Sequence, residues 1–214
     1  MTLNIAEVVK QLIRMVYGLS PYFWVDRFLK HKEFDHEPNS EAWHSLRNKR
    51  LLLSEFYIVF GLFAAVTLWV LSTTIGLWIW LTVFMMLRIL GIINKELGVI
   101  LFGICKITEG TAVSASGRVI VLALVNYFSA MFLFAALYQT IGNFSDVPIY
   151  LDQAWPLSAL FQAMAIHFTL SGAFVANDLM TWFIVTSQGA FCFTFGTMIL
   201  SLFVSLLNFK PLKP

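Results

Sequence analysis

The sequence predicts an all-α membrane protein: four transmembrane helices, a re-entrant pore helix and loop, and amphipathic helices before the first span. Three observations carry this. The 214 residues are 59% hydrophobic and 12% charged, whereas a soluble domain has about 25% charged residues. Four apolar stretches reach the roughly 20 residues needed to cross about 30 Å of hydrocarbon. From Val119 to Phe209 the chain also runs 91 residues without Lys or Arg, and a short broken apolar segment lies between two full-length ones. Non-helical backbone at membrane depth persists only where protein or a water-filled cavity satisfies its N–H and C=O groups. The break therefore points to a loop that lines a pore.

The first region, 1–50, is cytoplasmic or interfacial. Ile5, Val8, Val9, Leu12, Ile13 and Val16 follow helical spacing, with Glu7, Lys10, Gln11 and Arg14 elsewhere on the helix. Those charges interrupt the apolar core that a signal peptide requires. A second amphipathic helix, Tyr22 to Leu29, sets Phe and Trp beside Arg27 and Lys30. Both fit helices lying at a membrane surface, or packing against a neighbouring subunit or the 95–118 loop. Pro38-Asn39-Ser40 with Glu41 reads as a helix start, and the helix runs from Glu41 into the first span. The cluster of His31, His36 and His44 with Glu33, Asp35 and Glu37 has no metal-ligand spacing and reads as a solvated linker.

The spans are Leu51–Ser72, Ile75–Ile93, Val119–Ile141 and Met180–Asn208. The first two form a hairpin (51–95), a loop follows (96–118), and the last two bound a pore-like unit (119–209). Eight basic residues precede the first span; Lys95, Lys106 and Arg118 lie between the second and third; Lys210 and Lys213 follow the fourth. No Lys or Arg lies between spans one and two or between three and four. The positive-inside rule then makes both termini and the 96–118 loop cytoplasmic in a multi-pass membrane protein.

Two charges fall inside the hairpin. Glu55 lies one turn into the first span and Arg88 two turns before the end of the second, at a similar depth on antiparallel helices. Charges in lipid are costly unless paired, so Glu55 and Arg88 are expected to form a structural pair. A voltage sensor would repeat Arg along one helix, and this helix has one.

In the fourth span Ser187, Ala190, Thr194, Thr197, Ser201, Ser205 and Asn208 fall within a stripe roughly 80° wide. Such a stripe suits a helix wall facing water, with Thr194, Thr197, Ser201 and Ser205 lining a pore. The same residues also serve as helix–helix contacts, or bond to their own backbone carbonyls. Gly189 and Gly196, seven apart on another face, mark close packing or a bending point. The outer side carries only acidic charge, Asp146, Asp152 and Asp178, which concentrates cations at a mouth.

Outer helix, short aromatic-containing helix, Thr-bearing strand and inner helix together resemble the pore domain of the potassium-channel superfamily, over roughly residues 119–208. By that resemblance Phe161 stands where the family has its pore-helix aromatic. The filter is then Thr169-Leu170-Ser171-Gly172-Ala173 in place of TVGYG, with Phe174 in place of the following Asp. Gly189 or Gly196 stands for the gating hinge, and assembly is fourfold. The family filter uses glycines whose left-handed φ aims successive carbonyls at the ion, and Ser171 and Ala173 resist that geometry. The resemblance therefore implies a cation pathway with weak or non-standard potassium selectivity.

His167, just before the filter segment, is either a proton-sensitive group or a hydrogen-bonding partner of nearby backbone or Trp155. Asn126 reads as an interhelical hydrogen bond. The motifs of nucleophile-elbow hydrolases, zincins, P-loop NTPases and dinucleotide-binding enzymes are missing from the sequence, and no enzyme activity, cofactor, metal or nucleic acid is expected. Cys105 and Cys192 do not read as a disulfide scaffold. The expected partners are the lipid bilayer, permeant monovalent cations and further copies of the chain, with a tetramer favoured. The alternatives are a non-conducting scaffold or accessory subunit with a pore-domain-like fold, and a small transporter.

Overall fold

The computed structural model describes residues 5–74, 79–102, 112–152 and 154–206 and, within those, the side chains of all but 99–102, 112–117, 119, 155–156, 202–203 and 205–206. It is 85% helical. The elements are α1 (Ile5–Gly18), α2 (Pro21–Phe34), α3 (Glu41–Thr74), α4 (Ile79–Phe102), α5 (Ala112–Ile141), β1 (Phe144–Ser145), α6 (Ile149–Asp152), α7 (Trp155–Thr169), β2 (Val175–Ala176) and α8 (Leu179–Leu206).

Among the described residues, three helices are long and apolar enough to cross a membrane, within Glu41–Thr74, Ile120–Ile141 and Leu179–Ser201. The fourth expected span corresponds to α4, 24 residues long. Arg88, Lys95 and Glu96 are placed so that every 18-residue stretch of its described length contains all three charges, whereas α3, α5 and α8 each contain a membrane-length stretch with fewer. Its expected start, Ile75 to Trp78, lies outside the described residues, as do Cys105, Lys106 and Asn208. The described parts of the 96–118 loop are helical, because α4 continues to Phe102 and α5 begins at Ala112. A polar flank does not end a helix that still has good helix formers to extend it.

The chain divides into two compact units. One comprises residues 1–59, 93–123 and 198–214; the other comprises 60–92 and 124–197. In the first, α1 and α2 pack on each other through aromatic edges: the Tyr17 ring lies 6.1 Å from Tyr22 and 5.3 Å from Phe23. Tyr22 reaches Tyr57 of α3 at 5.1 Å, and Lys95 sits over the Tyr22 ring at 5.4 Å. The Asn94 side-chain amide donates to the Ile13 carbonyl (3.0 Å). Pro21 opens α2, where its fixed φ and missing N–H cost nothing. The α2 helix runs five residues past the expected Leu29. Ser40 accepts the Trp43 N–H (3.2 Å), the N-cap bond expected of a helix beginning at Glu41.

Arg50 is the electrostatic centre of this unit. Its guanidinium donates to Asp26 (2.9 Å) and also to Glu33, and all three side chains are 10–14% exposed. Asp26 and Glu33 lie seven apart, two turns along one side of α2, so a single α3 cation can bridge both. Glu55 pairs with Arg118 at 2.6 Å, a partner that sequence reasoning did not name. Arg88 belongs to the other unit, where its guanidinium lies against Gly61 of α3: a methyl on that glycine would sit 2.6 Å from Nη2.

Of the three membrane-length helices α5 is the most enclosed, with 56% of its apolar stretch buried against 11% for α3 and 33% for α8. Leu133 to Tyr138 are buried in unbroken succession. A helix that is apolar all round needs neighbours on every side, and it meets α3 through Trp69 and Phe132 (5.8 Å). Gly142 ends it tightly: an added Cβ would lie 2.5 Å from the Tyr138 carbonyl and 2.8 Å from the Phe144 ring.

Candidate functional site

The site is the excursion of the chain between β1 and β2. These strands pair antiparallel, Phe144 opposite Ala176 and Ser145 opposite Val175. Asn143 adds two ties: its N–H donates to Thr181 Oγ1 (2.9 Å) and its carbonyl accepts the Asn177 N–H (3.0 Å). The C-terminal end of α5 and the N-terminal start of α8 are therefore fastened together, and the whole segment 146–174 leaves and returns at that end.

Within the excursion, α7 has only 15 residues, about 22 Å. Its last turn docks well along α5. The Tyr127 hydroxyl donates to the His167 carbonyl (2.5 Å), and His167 Nε2 lies 3.3 Å from the Tyr127 carbonyl. Tyr127 is about four turns, or roughly 21 Å, back from Ile141. The chain then climbs back to β2 in residues 170–174. Leu170 makes the reversal with φ 59 and ψ 14, and its N–H caps α7 on the Ile166 carbonyl. A leucine in the left-handed region is uncommon.

Two buried glutamines hold the arrangement, and sequence reasoning missed both. Gln162, in the middle of α7, is fully buried. Its Oε1 accepts the backbone N–H groups of Ala173 (2.7 Å) and Phe174 (2.9 Å). Gln188 of α8, also fully buried, accepts from the Tyr138 hydroxyl (2.5 Å) and donates to the Ala163 carbonyl (2.9 Å) and to His167 Nδ1 (2.5 Å). That donor fixes the tautomer: Nδ1 accepts, so the neutral imidazole carries its proton on Nε2, facing the Tyr127 carbonyl. Tyr127, Phe134 and Phe191 surround the imidazole at 4.5 to 6.3 Å. His167 is thus a bonded core group joining α5, α7 and α8. The signal in the sequence was two amides within apolar helices, where an unpaired polar group is expensive.

The five expected filter residues, Thr169 to Ala173, lie together and all are exposed. Their geometry departs from the family strand. Thr169 Oγ1 bonds back to the Ala165 carbonyl (2.6 Å) and accepts the Ser171 N–H (3.3 Å), so its hydroxyl serves the loop's own backbone. The left-handed residue is Leu170, whereas Gly172 has no such φ. Gly172 is required for space: an added Cβ would stand 2.8 Å from Gln162 Nε2 and 3.4 Å from the Phe174 carbonyl. Gln162 cannot swing aside without releasing two N–H groups. Gly172→Ala is expected to destabilise the loop by about 1–3 kcal/mol through overpacking, while Ser171→Ala stays within about 0.5 kcal/mol. Thermal unfolding of the purified variants measures both.

The hydroxyl stripe lies on the outward side of α8. Ala190, Thr197 and Ser201 are exposed and Ser187 and Thr194 half-buried, while Phe191 and Phe195 turn into the core. Thr197 also donates to the Thr194 carbonyl (2.8 Å), the backbone bond that the sequence left open as an alternative. The side chain of Ser205 lies outside the described residues. Gly189 and Gly196 meet nothing within 4 Å of an added Cβ, so neither marks close packing in this chain, and α8 is continuous through both.

Asp146, Asp152 and Asp178 are exposed around the β1–β2 end. Asp146 has φ 60 in its turn. Asp152 borders a cavity of about 320 Å³ next to Ser158 and Phe174. Asp178 accepts the Thr181 N–H (2.7 Å) as the cap of α8, and the Thr181 backbone and side-chain hydrogen bonds hold its carboxyl below the usual aspartate value. No known family model, curated protein or solved structure matches this chain.

Proposed function

We propose that the chain is one subunit of an oligomeric pore-loop channel that passes monovalent cations with weak or non-standard potassium selectivity. The observation that carries this reading is the excursion between paired β1 and β2, whose loop reverses beside the middle of α5. In the proposed topology α3, α4, α5 and α8 are the four spans, α7 with residues 169–174 is the re-entrant element, and both termini are cytoplasmic. Residues 169–173 are exposed on a single chain, so a conduction path needs several copies facing one axis, and four follow from the family resemblance. Thr194, Thr197, Ser201 and Ser205 would line that axis below the loop. Asp146, Asp152 and Asp178 would hold cations at its mouth, and Gly189 or Gly196, free of local crowding, would absorb a bend.

A specific observation favours a second reading, a non-conducting scaffold of the same architecture: the Thr169 hydroxyl, which would face an ion, is occupied by its own backbone. Reconstitution into liposomes separates the two. The channel reading expects potassium and sodium flux whose ratio changes in Thr169→Ala and Gly172→Ala. An intact symmetric oligomer that stays silent in both cations, across voltage and pH, supports the scaffold. Particle images with no axis lined by α8 would remove the pore altogether.

A further inference from the structure

We propose that the outward face of α2 is a binding site for anionic phospholipid headgroups. The α2 sequence taken as a whole mixes both signs, with Asp26 and Glu33 among Arg27, Lys30 and Lys32. The fold separates the signs. Asp26 and Glu33 turn inward to Arg50, which removes both carboxylates from the outer face. Arg27, Lys30, His31 and Lys32 remain exposed, interleaved with Trp24 (60% exposed), Phe28 (58%) and Phe34 (77%). At about 100° per residue, Trp24, Arg27, Phe28, His31 and Phe34 fall on one side of the helix, opposite Asp26 and Glu33.

This face is shaped as well as charged. Trp24, Arg27, Phe28, Lys30, His31 and Phe34 line a groove of about 480 Å³. The cations are held over its rings, Lys32 4.6 Å above Phe28 and Lys30 5.9 Å above Phe34. Trp24 is oriented by its indole N–H on the Gly18 carbonyl (3.0 Å), at the end of α1. Exposed rings that reach the headgroup level, beside cations that meet phosphate, are what a lipid surface selects.

The occupant is argued from α1, which packs on α2. Ile5, Val8, Leu12 and Met15 form one stripe along α1, continued by Leu19 just past its end, each 42–81% exposed. An apolar stripe of that length beside a basic aromatic face matches the layered chemistry of a bilayer, acyl chains next to phosphates. A soluble anion or an acidic protein would use the cations and leave the stripe in water. The proposal is independent of whether the chain conducts.

The test is native mass spectrometry of the full-length, delipidated protein titrated with phosphatidylglycerol and, separately, with phosphatidylcholine. Phosphatidylglycerol is expected to bind more tightly. The double variant Arg27→Gln/Lys30→Gln should weaken it roughly 30-fold with phosphatidylcholine unchanged, while Arg27→Lys/Lys30→Arg retains it. Lys49→Gln, which removes an exposed α3 cation, should leave it within about threefold. Unchanged phosphatidylglycerol binding in the double variant overturns the proposal, as does an equal loss in Lys49→Gln. Competition by inorganic phosphate would make the site one for soluble anions. A changed oligomeric state with lipid binding intact would make it a protein interface. Either result overturns it too. Gel filtration and melting like the parent's establish that the variants are folded.

Discussion

Replacing Gln162 with leucine is expected to unfasten the 169–174 loop and to cost the protein about 2–4 kcal/mol. The side-chain carbonyl of Gln162 is the acceptor for two successive backbone N–H groups, Ala173 and Phe174. Leucine fills a similar volume and offers no acceptor. Phe174 is buried, so its N–H would lose a partner where water does not replace it, a penalty of about 1–3 kcal/mol. Ala173 is exposed, and its N–H regains part of the loss from solvent. The effect should be local before it is global. Amide exchange at Ala173 and Phe174 is expected to accelerate about 10- to 100-fold, which is what 1.4–2.8 kcal/mol of lost protection produces. The Gln188–Tyr138–His167 group should stay protected. Unchanged exchange at those two amides would show that the loop is held by something other than Gln162. Under the channel reading the same variant should also alter ion flux.

The second large effect is expected at Arg50. Arg50→Leu removes the cation between two nearly buried carboxylates and should cost about 3 kcal/mol, because Asp26 and Glu33 are left uncompensated in a poorly solvated place. The informative variant is the triple one, Arg50→Leu with Asp26→Asn and Glu33→Gln. Replacing a whole buried ion set is often close to neutral, so the triple variant should recover most of the lost stability in denaturant unfolding. If it unfolds as readily as the single variant, the stabilisation came from packing of the Arg50 stem and not from charge. The single variant also frees both acids to turn outward on α2, and should weaken phosphatidylglycerol binding though neither Arg27 nor Lys30 has been touched.

Much of the fold was legible in the sequence because membrane helices are specified locally. The apolar lengths of α3, α5 and α8 and the cap at Ser40 each depend on residues within a few turns of one another. So does the amphipathic pattern of α1. The brevity of α7 was legible for the same reason: Trp155-Pro156 starts it and the run of small and polar residues from Thr169 breaks it. The five residues expected in the loop do gather there. Legibility stopped where a residue's role depends on a partner far along the chain. Gln162 is one turn and a half from His167 yet acts on Ala173 and Phe174. Gln188 bonds residues 50 and 21 positions away. Glu55 found Arg118, a cation from the opening of α5 that no helical spacing connects to it.

By itself, then, the sequence determined that the chain builds long apolar helices, which face of α1 is polar, and that the helix breaks after Thr169. Those properties follow from the hydrophobic effect and from the backbone's need to satisfy its own hydrogen bonds. The tertiary structure alone decided the chemistry of the loop. Gly172 is a glycine for room beside Gln162 and not for its φ, Leu170 takes the left-handed turn, and the Thr169 hydroxyl is turned on its own backbone. It also decided the charge α2 presents, mixed in sign along the sequence and basic in its outward face. In both places the physical reason is one of direction. A sequence specifies which groups are present, and only packing specifies which of them are already bonded and which still face outward.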